Sequence, residues 1–449
     1  MMSFRGYSRI FLVLFLVSCL FFMSADHVRA VEASDEPIGI PLQPIIDQAG
    51  TGDTIKLTSG TYVGPVVIDK KLTILGDGDV SLINGSSDEA AIAINSAGTE
   101  LRNIEIRQAA GGEVPAVSVK ADHVTLDNLS IQTRGFGILL RDSKGGLITN
   151  NKIKWIRLEG KLGGNRGNGI DLYNSDGIQI IANQISYLRD GIYIENSQDV
   201  KVDNNRLSHL RYGIHCMYVN GSHVTNNLGE YNYTGAMIMG VSDVIVSGNS
   251  FRKQNQNVHA QGILLYDVHT SSIFKNTVEG NRVGIYMEQS SNNVLKDNLV
   301  LRNYTGVQFL NADGNRFQNN TFIANVIEAS ATSSKKNQLD GNYWDAFQGL
   351  DVTNDGLSDL PYATNPFYQR LTAKNAAYQL FFQSPGMIFL SDLSSGDRAD
   401  WASDHAPLTK PTALLSGGVA EYPGLVMFAG GMMLLVSILL IFYLGVFRS

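Results

Sequence analysis

The stretch Asp190–Leu210, DGIYIENSQDVKVDNNRLSHL, opens on Gly-Ile, runs through two alternating apolar/polar segments and turns at a pair of asparagines. The pattern then recurs. Glycines followed by a small or branched apolar residue stand at Gly137, Gly169, Gly191, Gly213, Gly235, Gly262, Gly284 and Gly306, at spacings of 32, 22, 22, 22, 27, 22 and 22. Five of the seven spacings are 22, and the other two are 22 plus an insert of 10 or 5. A fixed period of this size is the signature of a solenoid.

Within each repeat the first position after the glycine (Ile192, Ile214, Ala236) and the third (Ile194, Cys216, Ile238) are apolar throughout, while the second and fourth vary. Alternation with period two makes this a strand whose first and third residues face inward. The eleventh position (Val202, Val224, Val246) marks a second strand, and the sixteenth, apolar in seven of eight repeats with Gly229 the exception, a third. The fourteenth is asparagine in all eight, from Asn151 to Asn320. Asparagine tolerates left-handed backbone at a sharp turn. Stacked at a strand spacing of about 4.8 Å, its amides can also bond to one another. Three short strands per 22 residues without a helical period predict an all-β, right-handed parallel β-helix. Leu42–Ala49 reads as a short helix capping its open N-terminal end, and Thr61-Tyr62-Val63 as the first strand.

The flanks carry address information. Arg5 and Arg9 precede an apolar run, Ile10–Met23, and Val28-Arg29-Ala30 forms a small-x-Ala cleavage site, the pattern of a secretory signal. Leu16-Val17-Ser18-Cys19 offers a competing lipoprotein reading, but apolar residues follow Cys19 where a polar tether is expected. Leu425–Phe447 is 23 residues without a charge, ending at Arg448. That is long enough for a transmembrane helix with a cytoplasmic tail end. The chain then divides into signal peptide (1–30), N-terminal cap (31–60), β-helix (61–345), C-terminal cap with an Asp-rich loop (346–390), linker (391–424) and transmembrane helix (425–447). The bulk of it lies outside the cytoplasmic membrane and is anchored there. A net charge of −7 argues against nucleic acid as a partner. Of two cysteines, only Cys216 survives signal removal, so no intrachain disulfide can form.

Chemistry has to sit on outward positions, because the inward ones are committed to the core. Neighbouring repeats place His215, Met217, Met237 and Met239 on one patch, with Tyr193, Tyr266 and Tyr286 along the same face. One imidazole and three thioethers suit Cu(I). A Met/Tyr stripe equally suits an adaptable protein-docking surface; the two readings are compatible. By parity Cys216 points into the core. A second candidate is Asp351, Thr353, Asp355 and Asp359 around Gly356, oxygen ligands at positions 1, 3, 5 and 9 of a calcium-type loop. Tyr362 stands where such a loop has its bidentate glutamate, and an Asx-rich turn explains the same residues.

Several further pieces carry a resemblance. They are Gly60-Thr61-Tyr62 with Gly64-Pro65-Val66-Val67-Ile68-Asp69, the rung Arg211-Tyr212-Gly213-Ile214-His215-Cys216-Met217-Tyr218, and Gly341-Asn342-Tyr343-Trp344-Asp345 leading into the Asp351 loop. Over about residues 40–390 the chain resembles the NosD family, accessory proteins of nitrous oxide reductase. The resemblance implies a β-helix outside the cytoplasmic membrane that works with an ABC-type ATPase and permease to assemble the reductase's copper–sulfide centre. It also implies copper binding, a copper chaperone as a further partner, and no turnover of its own. Relatives in two-membrane bacteria are soluble in the periplasm, so an anchor of its own sets this chain apart. The rival reading is a polysaccharide lyase, hydrolase or epimerase on the same solenoid, with Asp171 and Glu195 as acids but no basic residue at the outward positions of those two repeats. A non-catalytic adhesin or surface array is a further rival.

Overall fold

Three short strands make up each turn, and each pairs in parallel with its counterpart one turn away. In the Gly191 turn they are Asp190–Glu195, Lys201–Asp203 and Arg206–Ser208. Their partners in the next turn are Tyr212–Met217, His223–Thr225 and Leu228–Glu230. Register follows the sequence period: Ile192 opposes Ile214 and Val202 opposes Val224. Ile192, Ile194, Val202 and Leu207 are all buried, as the alternation requires. The computed structural model describes residues 39–86, 88–156, 165–255, 257–365, 367–381, 384–393 and 402–412, together with Met432. It is an all-β parallel solenoid of the right-handed type, with about 13 turns of ~22 residues.

The asparagine column does a different job from the turn role expected of it. The left-handed residue is the one before it: Asn204 has φ 56° and Asn226 φ 54°. The ladder asparagine itself turns inward. Asn205 Nδ2 donates to Ile180 O at 2.9 Å and to Asn227 Oδ1 at 2.9 Å, and Asn227 Oδ1 also accepts from Asn205 N at 2.9 Å. The same contacts repeat without a break from Asn151 to Asn342. Every amide group is thereby satisfied in a dry interior, where an unpaired one would cost about 1–3 kcal/mol. A second ladder, not anticipated from the sequence, starts at Asn232 and passes through Gln254, Asn281 and Asn303 to Asn325.

The N-terminal end is capped as expected, by a short helix α1 (Gln43–Gln48) that buries Leu42 and Ile46. Strand pairing begins earlier than the sequence indicates, with Ile40–Pro41 against Tyr62–Val63, followed by Thr54–Val63 against Thr73–Asn84. At the C-terminal end lie helix α2 (Phe367–Lys374), the 3-10 turn Ala376–Phe381 and helix α3 (Pro385–Leu393). Part of the stretch expected to be a linker is structured: Ser403–Asp404 pairs antiparallel with Tyr362–Ala363. Asp404 is buried and ends the first ladder. Its carboxylate accepts from Asn342 N at 2.9 Å, Gly341 N at 3.0 Å and Trp344 Nε1 at 2.9 Å, taking the place of the next asparagine. The second ladder ends on Glu328, whose Oε2 accepts from Asn325 Nδ2 at 3.0 Å. Burial, helped by the neighbouring Asp345 carboxylate, pushes the Glu328 carboxyl up to about 9, so it is a neutral acid at neutral pH. Among the described residues no helix is long and apolar enough to cross a membrane. The signal segment and, apart from Met432, Leu425–Phe447 lie outside the described residues.

Two outcomes follow from the ladders. Asn227→Ala strands the Asn205 amide and leaves Val202 O without its donor; we expect a loss of about 2–4 kcal/mol. Hydrogen exchange should speed up first at the rungs on either side, since solenoid contacts are between neighbours. Glu328 has a folded-state pKa above its free value. Its contribution is therefore fully present below the ordinary glutamate pKa and lost as pH rises toward about 9. Glu328→Gln, which mimics the neutral acid, should raise the urea midpoint at pH 8 and leave it nearly unchanged at pH 4. An equal change at both pH values would show that Glu328 is not held neutral.

Candidate functional site

The first strand of each turn presents two outward columns, and backbone register fixes who stands beside whom. One column runs Asp171, Tyr193, His215, Met237, and the other Tyr173, Glu195, Met217, Met239. Tyr266 and then Tyr286 continue the face on the next two turns. His215, Met217, Met237 and Met239 are thus brought together as the sequence indicates, on two rungs about 4.8 Å apart.

His215 is not an exposed ligand, however. It is only 6% exposed despite its outward parity. Its ring sits edge-on to Tyr193 (centroids 4.9 Å) and to Tyr212 (4.8 Å). Its Nδ1 lies 3.1 Å from Asp190 Oδ2, and its buried Nε2 has no hydrogen-bond partner. A neutral imidazole donating through Nδ1 carries its lone pair on Nε2. Asp190, which precedes its repeat's glycine and escaped the outward-column reading, is fully buried and held by Arg211 through Nε at 2.8 Å and Nη2 at 2.6 Å. Burial alone would raise the Asp190 carboxyl; the hydrogen bonds from Arg211 and His215 outweigh it and hold it below the usual range.

Around this pair the face is polar and crowded. Tyr193 Oη donates to Glu195 Oε2 at 2.6 Å and lies 3.4 Å from Met217 Sδ. Burial and the Glu195 carboxylate push the Tyr193 phenol up. On the other side Asp171 is buried, with Asn168 Nδ2 donating at 2.7 Å and Arg141 Nη2 at 2.7 Å in an ion pair of oblique geometry. Burial raises its carboxyl despite that arginine. The outward positions of those two repeats carry no basic residue, but arginines reach the face from elsewhere: Arg141, at the fourth position of the preceding turn, pairs with Asp171, and Arg211, two residues before a glycine, pairs with Asp190. Further along, Tyr286 Oη donates to Glu288 Oε2 at 2.9 Å, and burial with that carboxylate pushes the phenol up to about 12.

Cys216 is a core residue, as parity requires. Burial pushes its thiol up to about 12, which removes it as a thiolate ligand at neutral pH. His209, exposed at its turn, stacks between Tyr187 (4.6 Å) and Tyr231 (5.6 Å). The Asp351 loop closes on its own backbone. Asp351 accepts from Asp355 N and Gly356 N, Asp355 from Leu357 N and Asp359 from Val352 N, while Thr353 is exposed. These are Asx turns. Among the described residues no group of three or more His, Cys, Asp or Glu is placed to hold a metal.

Fold and face together define a protein class, a parallel β-helix with a histidine and thioether cluster on one sheet. Residues 155–349 match the family model described as "Periplasmic copper-binding protein (NosD)". No curated protein matches the chain. Among solved structures it is similar to the alginate lyase AlyF-OU02, at 13% identity and TM-score 0.51, over 74% of this chain and 90% of that one. It is also similar to tailspike protein 3 of bacteriophage CBA120, at 12% identity and TM-score 0.50, over 65% of this chain and 53% of that one. The Azotobacter vinelandii mannuronan C-5 epimerase AlgE6 A-module matches at 12% identity and TM-score 0.48, over 68% of this chain and 94% of that one. At such identities the first two of these likenesses show the fold alone.

With Cys19 removed, Cys216 should resist iodoacetamide at pH 8 in the native state and react fully in urea, at a rate that tracks unfolding. Rapid native-state alkylation would place the thiol outside the core.

Proposed function

We propose that this chain is an extracytoplasmic accessory protein that binds Cu(I) on the His215 face and assists assembly of the copper–sulfide centre of nitrous oxide reductase. The observation that carries the copper reading is the orphaned Nε2 of His215. It is buried, it bears the ring's lone pair, and Met217, Met237 and Met239 stand in register beside it. An imidazole with thioethers is the soft donor set that Cu(I) prefers over harder ions. Asp190, clamped by Arg211, fixes the tautomer and orientation of that donor, as carboxylates do behind metal-bound histidines. Tyr193 and Tyr212 cover the ring and keep water from it.

The family match to residues 155–349 and the RYGIHCMY and GNYWD motifs support the maturation role. The half-buried Tyr193, Met217, Met237, Met239, Tyr266 and Tyr286 form the surface on which the reductase or a copper chaperone docks. An ABC-type ATPase and permease complete the assembly, and Leu425–Phe447 anchors the chain beside them. The anchor rests on the sequence of that segment. A second reading, acid–base chemistry on an acidic polysaccharide, draws on the same Asp190–His215 pair with Tyr193 and on the arginines near Asp171 and Asp190.

Competition with a Cu(I) chelator decides between them. The full chain should bind Cu(I), and His215→Gln should abolish binding. Asp190→Asn should weaken it by about 10–100-fold, because only the orientation of the donor is lost. Substituting Met217, Met237 and Met239 by Thr should do the same or more. Unchanged Cu(I) affinity in all of these would remove the face from copper handling. Release of unsaturated or reducing sugar from acidic polysaccharide, lost in His215→Gln, would establish the rival. A strain lacking the protein should accumulate reductase without its copper–sulfide centre; normal maturation there would overturn the accessory role.

A further inference from the structure

The C-terminal cap carries an apolar surface that the solenoid does not use. Leu380 and Phe381 on the 3-10 turn and Phe389, Leu390 and Leu393 on α3 are between 51% and 86% exposed. Phe389, Leu390 and Leu393 fall at i, i+1 and i+4, so they share one face of the helix, while Met387 is buried. Elsewhere on the described surface Val258 stands singly, which is ordinary, and Leu350, Val352 and Leu360 are exposed on the Asp351 loop; a cluster of exposed apolar side chains marks a partner or a membrane. Two features of the cap select the occupant. Exposed Arg370 and Lys374 sit on α2, the helix that α3 packs against, so the same cap also carries cations. That combination suits the headgroup–acyl boundary of an anionic bilayer. The second is reach. Thr412 is fastened to the last turns of the solenoid through Asn319 O and the Thr321 hydroxyl, at the end that carries α2 and α3. Only residues 413–424 separate it from the uncharged Leu425–Phe447 segment. Fully extended, they span at most about 45 Å.

We propose that the face formed by Leu380, Phe381, Phe389, Leu390 and Leu393 lies in the membrane interface and holds the C-terminal end of the solenoid against the bilayer. This inference rests on Leu425–Phe447 acting as the anchor. The surface works as a second contact that fixes the angle at which the solenoid stands, which a tether alone leaves free.

The test uses the full chain in vesicles of phosphatidylcholine and phosphatidylglycerol. Cys19 is replaced by Ser, Cys216 stays buried and unreactive, and a nitroxide is attached at Leu390→Cys or, as control, at Val258→Cys. Both sites are exposed, so neither label disturbs packing. Flotation reports the anchor, and collision of the label with oxygen against a water-soluble nickel chelate reports depth. If the proposal is right, the protein floats and the oxygen-to-nickel ratio at 390 is several-fold above that at 258. If it floats with equal ratios, the face is in water and the proposal falls while the anchor stands. If 390 is shielded from both reagents, protein covers the face and the proposal also falls. If the protein does not float, the anchor fails and takes this inference with it.

Discussion

One asparagine amide per turn, bonded to the asparagines before and after it, is the constraint on which the rest of the molecule depends. A solenoid of three short strands has little to hold each corner, because a strand of three residues makes few ladder bonds. The amide does this by tying its turn to the neighbouring turns through side chain and backbone together. A slip of one residue would move the amide out of its chain of partners and turn the apolar columns to solvent. The register so fixed reaches the opposite side of the turn, where it places Tyr193 beside His215 and His215 beside Met237.

A ladder of this kind must end, and its last member carries an unpaired amide. The two longest ladders here end in different ways, and both of these use a carboxyl group. Asp404 returns from a segment some sixty residues downstream and supplies acceptor oxygens to Asn342, Gly341 and Trp344. Glu328 supplies one acceptor to Asn325 and stays protonated, because burial and Asp345 both disfavour its charge. The C-terminal cap therefore completes the hydrogen bonding of the solenoid as well as covering its core. It also orients α2 and α3 at the end from which the chain continues toward its apolar terminal segment.

The histidine face shows how a regular scaffold acquires chemistry. Strand parity sends His215 outward, yet the ring is buried because residues from its own turn and the preceding one close over it. Asp190 and Tyr193 come from the preceding turn, one before its glycine and the other in the same outward column as His215, and Arg211 and Tyr212 come from just before the glycine of its own turn. The result is one oriented imidazole with one nitrogen committed and the other free, bordered by thioethers. The family model that residues 155–349 match is described as copper-binding, and an imidazole with thioethers is a soft donor set.

The solenoid, its period, its inward columns and the soft-ligand quartet were legible in the sequence, because each is a property of spacing. Residues one period apart must meet across a strand pair. The calcium-like spacing at Asp351 was equally visible, but its carboxylates turn onto their own backbone, and spacing says nothing about which donor a carboxylate takes. The second ladder was missed because Gln254 interrupts its run of asparagines and leucines hold its column in earlier turns. Asp190 was missed because its role depends on partners one turn ahead at other positions in the repeat. Asp404 lies outside the repeat altogether. The sequence by itself determined the scaffold and which residues share a face, since those follow from period and parity. Only the tertiary structure decided which of them are buried, paired or left with a free donor atom, because that depends on side chains converging from different turns and from the returning C-terminal segment.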